Sequence, residues 1–70
     1  MNKALLKSIM TLHGDTVLDL SEYLGMSRQS LYNKMNETGK PSTEFKQGEI
    51  AMIRDRYKLN AAEVEAIFFS

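Results

Sequence analysis

No cysteine occurs in the seventy residues, which excludes disulfides and thiolate metal sites and fits a reducing compartment. No apolar run approaches the ~18 residues that a membrane helix needs. The opening Met-Asn-Lys-Ala-Leu-Leu-Lys is too polar for a secretory leader, so the expected setting is the cytoplasm. Net charge is also missing, nine Lys and Arg balancing nine Asp and Glu. Because non-specific nucleic-acid affinity comes from cations meeting phosphates, this neutrality excludes a broad electrostatic binder. Glycine-rich phosphate loops, repeats and low-complexity tracts are absent as well. The single histidine, His13, falls at an expected helix end, where a structural role suits the local dipole. The hydroxyls are explained by caps and turns, so no enzyme, cofactor, metal or small-molecule substrate is expected.

What is present is a set of helical stripes punctuated by caps. Seventy residues make one domain that buries only ~60% of its unfolded surface, which makes a homodimer an expected route to extra stability. The first helix is expected over Lys3 to His13, with Leu5, Ile9 and Leu12 on one face, Leu6 and Met10 widening it, and Gly14 closing it. Asp15 or Thr16 caps the second helix. Gln47 to Tyr57 reads as the fourth, with Ile50, Ile53 and Tyr57 in register, Glu49 near its start and a Phe45 to Ile50 staple. Asn60 caps the fifth, Glu63 completes a capping box, and Leu59 can staple to Val64. Val64, Ile67 and Phe68 then form an apolar stripe that leaves Phe69 outside it. The expected fold is therefore all-α, a five-helix bundle. The five methionines suit gap-filling in its core.

The segment from Leu20 to Met35 carries the functional signal. Leu20 and Leu24 lie four apart on one helical face, with small Ser21 beside them where another helix can approach. Gly25 suits the left-handed conformation that ends a helix. Ser27 is an N-cap candidate, and Met26 can pack on Leu31 as a staple, so the third helix starts near Arg28. Leu31 and Met35 are its apolar positions. Arg28, Gln29, Tyr32, Asn33 and Asn36 then form an outward set. Arg can pair two donors with guanine, Gln and Asn can bond adenine bidentately, and an aromatic ring can touch a thymine methyl. From Met26 to Lys46 the segment is locally basic, with Arg28, Lys34, Lys40 and Lys46 against Glu37 and Glu44.

A glycine turn, a Ser cap and a polar recognition helix in this order resemble the helix-turn-helix of phage Cro and repressor proteins. Ser-Arg-Gln-Ser-Leu-Tyr-Asn-Lys-Met, the later Phe-Lys-Gln-Gly-Glu-Ile and the closing Phe68 and Phe69 are most similar to small Cro-like phage proteins, and the likeness covers nearly the whole chain. Leu-x-x-Lys-Met after a glycine turn also resembles the DNA-binding end of the factor for inversion stimulation. The pattern is departed from twice. Val17 stands where many phage repressors carry a phosphate-binding Gln, so that this clamp is either missing or replaced by Thr16. Lys46 stands where related proteins often have a Ser or Thr cap, so that either the cap shifts to Thr43 or the first turn is less well satisfied.

The resemblance implies a lambda-repressor-like domain in a bacterial host cell that binds double-stranded operator DNA as a homodimer, with half-sites ~34 Å apart. Arg28, Gln29, Tyr32 and Asn33 would contact bases. Thr16, Ser27, Ser30, Lys34, Asn36, Lys40 and Lys46 would contact the DNA backbone, and Phe69 the second copy. The alternative is a protein-binding helical module, such as an antirepressor, that has lost DNA binding.

Overall fold

Asn2 begins the first helix by accepting the Leu5 N–H on its side-chain oxygen at 3.0 Å. In this computed structural model, which describes residues 1–36 and 44–69, the first helix α1 spans Lys3–Leu12. It is followed by α2 (Val17–Leu24), α3 (Arg28–Asn36), α4 (Gln47–Tyr57) and α5 (Ala61–Phe68). The described residues hold these five helices and no strand, so the bundle is all-α as expected.

Each break has a local cause. Gly14 and Gly25 adopt φ of 73° and 74°, the left-handed region where a Cβ is disfavoured, and they end α1 and α2. Thr16, not Asp15, caps α2: its hydroxyl accepts from the Asp19 N–H at 3.2 Å while the Asp19 carboxylate accepts from the Thr16 N–H at 2.9 Å. Asn60 and Glu63 make the same reciprocal pair at α5, at 2.8 and 3.0 Å. Lys46 is the cap residue of α4 and has no side-chain acceptor to offer. Only half the box forms there, with Glu49 accepting the Lys46 N–H at 2.9 Å. Thr43 lies outside the described residues.

Leu6, Met10, Leu20, Leu31, Met35, Ile53, Tyr57, Leu59 and Ile67 form the core. Each Leu or Ile in it contributes about 1.5–3 kcal/mol through burial. The helices α2 and α3 pack on each other, and α5 packs on α1 and α4. The Asn2 N–H donates to the Ile67 carbonyl at 2.6 Å, joining the start of α1 to the end of α5. Phe68 covers the core edge-on to Phe45, their rings 5.4 Å apart.

The face of α1 is turned from its expected position. Leu6 and Met10 are buried, Leu5 and Ile9 lie at the rim, and Leu12 is 82% exposed. The four packed residues define a stripe centred between Leu6 and Ile9, and Leu12 falls about a quarter turn from it.

Candidate nucleic-acid interface

A three-residue turn, Gly25 to Ser27, separates α2 from α3. The Met26 N–H donates back to the Ser21 carbonyl at 3.0 Å, and Gly25 to that of Glu22 at 3.2 Å, so the turn is closed by the carbonyls that the end of α2 leaves free. Ser21 is buried with its hydroxyl donated to the Leu18 carbonyl at 2.7 Å, which lets a small polar residue stand inside the packed α2 and α3 pair. Leu31 and Met35 anchor α3 from behind, at 0% and 3% exposure.

The outward face of α3 carries Arg28, Gln29, Ser30 and Tyr32, all exposed, with Asn33 and Asn36 half-buried. The Gln29 amide donates to the Asn33 side-chain oxygen at 3.0 Å. Ser27 accepts from the Ser30 N–H at 3.1 Å, confirming it as the cap, and donates its own hydroxyl to Ser30 Oγ at 2.9 Å. That leaves the Ser30 proton as the free hydroxyl donor of the pair.

Three of the expected backbone contacts already have partners within the chain. Lys34 turns inward: its ammonium lies 3.2 Å from Glu49 Oε1 and donates to the Glu44 carbonyl at 3.1 Å, with the side chain 10% exposed. It lies three residues beyond Leu31, at the border of the buried stripe, and Glu49 on α4 draws it in. Thr16 gives both its N–H and its hydroxyl to Asp19, so a phosphate there would meet a carboxylate of its own sign. Asn36 accepts a hydrogen bond from Lys3. Val17 is half-buried against the core and supplies no polar clamp. Lys46 is exposed at the start of α4, and Lys40 lies outside the described residues. Phe69 is 68% exposed just beyond α5.

Sequence spacing missed a second polar centre. Arg56 grips Asp15 with two bonds, Nε to Oδ2 at 2.7 Å and Nη2 to Oδ1 at 2.9 Å, while the Tyr57 hydroxyl donates to Oδ2 at 2.7 Å. The Arg56 guanidinium lies over the Tyr23 ring at 4.6 Å, and the His13 ring meets the Tyr57 ring at 4.9 Å, tilted 45° to it. The hydrogen bond from Arg56, outweighing the desolvation that opposes it, pulls Asp15 down to about 2. Burial foremost, then the Asp15 bond, raises the Tyr57 hydroxyl well above its ordinary range. Asp15 directly precedes the cap of α2, so the cluster pins the start of α2 to the end of α4. A carboxylate left over once Thr16 takes the cap was the one local hint.

Among the described residues no group of three His, Cys, Asp or Glu could hold a metal ion, and no helix is long and apolar enough to cross a membrane. Protein-family models, curated proteins and solved structures give no match to this chain.

Proposed function

We propose that this chain is a sequence-specific DNA-binding transcriptional regulator of the phage Cro and repressor type, acting as a homodimer with α3 in the major groove. One observation carries the reading. Arg28, Gln29 and Tyr32 project into solvent from a short helix that is braced behind by buried Leu31 and Met35 and held at its start by Ser27. Arg28, with Gln29 and Asn33, would read base edges, Tyr32 would add apolar contact, and Ser30 and Lys46 would meet phosphates. Repression would follow from occluding a promoter. With no excess of positive charge, affinity would rest on base contacts and on pairing two copies.

Selection of duplexes from a random DNA pool at low salt, followed by mobility shift at two salt concentrations, tests it. Enrichment of a two-fold symmetric sequence is the expected result. No duplex retained at low salt sinks the DNA reading and leaves the protein-binding module, which draws support from the neutral charge, from Thr16 bonded to Asp19 and from Lys34 turned inward.

A further inference from the structure

We infer that Lys3, from α1, is a phosphate-contacting residue at the carboxyl end of α3, an inference that rests on the DNA-binding reading. Lys3 and Asn36 are thirty-three residues apart, yet the Lys3 ammonium donates to the Asn36 side-chain oxygen. The same ammonium sits 5.7 Å from the centre of the Tyr32 ring. Tyr32 is half exposed, so its ring holds the cation at the border between protein and solvent.

Arg28, Tyr32 and Asn36 follow one another at four-residue intervals and share one line along α3. From Arg28 to Asn36 that line runs about 12 Å, comparable with the width of the B-DNA major groove. A helix seated there has phosphates within reach at both ends. Arg28 is taken up by base edges, and Ser30 is the phosphate contact proposed toward the amino end. At the other, the helix's own lysine, Lys34, is turned away to Glu49, and Lys3 of α1 stands in its place. An ammonium has three donors and Asn36 takes one, which leaves two for an oxyanion. Lysine is a compact point charge without the fork that reads guanine, so the group it suits is a phosphate oxygen rather than a base edge.

The test compares wild type, Lys3→Gln and Lys3→Arg by fluorescence anisotropy, on the duplex selected from the random pool and on a shuffled duplex, across a salt series. Loss of one phosphate contact from each copy of the dimer lowers the slope of log affinity against log salt by about 1.8 and weakens binding about sixtyfold at 0.1 M salt. The expected result is that Lys3→Gln shows both effects equally on the two duplexes and that Lys3→Arg restores them. Circular dichroism melts of the three proteins confirm that each is folded. A wild-type slope in Lys3→Gln, or a loss confined to the selected duplex, would overturn the inference. Wild type binding neither duplex would instead bring down the DNA reading itself, before any variant is compared.

Discussion

Gln29 and Asn33 are hydrogen-bonded to each other at 3.0 Å, one turn apart on the outward face of α3. Each amide therefore orients its neighbour, and the pair presents the Gln29 oxygen and the Asn33 amide protons as one donor and acceptor set.

The two residues should consequently act as a unit. On the selected duplex, Gln29→Ala is expected to cost about 1–3 kcal/mol and to relax base preference at one position. Asn33→Ala should cost less in the Gln29→Ala background than alone. A double-mutant cycle by anisotropy measures this, and strictly additive losses would show that the amides work separately.

The Asp15 cluster predicts an acid-sensitive step in stability. The folded value of about 2 lies below the ordinary 3.8, so the pair's stabilisation is present above about pH 4 and is lost as pH falls toward 2. Partial exposure of Arg56 screens it, leaving about 1–2 kcal/mol. Urea unfolding of wild type and Asp15→Asn should differ most near pH 6 and converge between pH 4 and 2. A gap that ignores pH would mean the charge pair contributes little.

Lys34→Ala should damage the fold rather than the DNA contact. It removes a buried stem and leaves Glu49 holding only the Lys46 N–H, at a cost of about 1–3 kcal/mol. Thermal melts should register this as a fall of several degrees for a domain this small. The salt slope of DNA binding should stay at the wild-type value; a drop of about 1.8, one contact from each copy, would place the ammonium on phosphate instead.

Phe69→Asp tests association. The ring is 68% exposed, so the change should leave the monomer's stability within about 0.5 kcal/mol while removing a contact between copies. Sedimentation equilibrium should report a shift toward monomer. Unchanged association would show that the second copy meets some other surface.

Much of the site was legible because its signals are local. Gly25, Ser27, Leu31 and Met35 act within one or two helical turns, and each took its expected place. What spacing did not reveal is which donors remain available. Thr16 is engaged by Asp19, Lys34 by Glu49 and Asn36 by Lys3, and the last two partners lie on other helices. A long side chain at the border of an apolar stripe can reach solvent or turn inward, and the decision belongs to what packs beside it.

The sequence by itself determined the five helices, the glycine turns, the caps at Ser27 and Asn60 and the polar outward face of α3, because backbone hydrogen bonding and capping depend on residues three or four apart. Only the tertiary structure decided that Leu6 and Met10 rather than Leu12 face the core, that Arg56 closes on Asp15, and that Lys3 instead of Lys34 brings positive charge to the end of α3. Those outcomes depend on helices meeting across long stretches of chain, where burial and charge pairing choose among side chains that local spacing leaves equivalent.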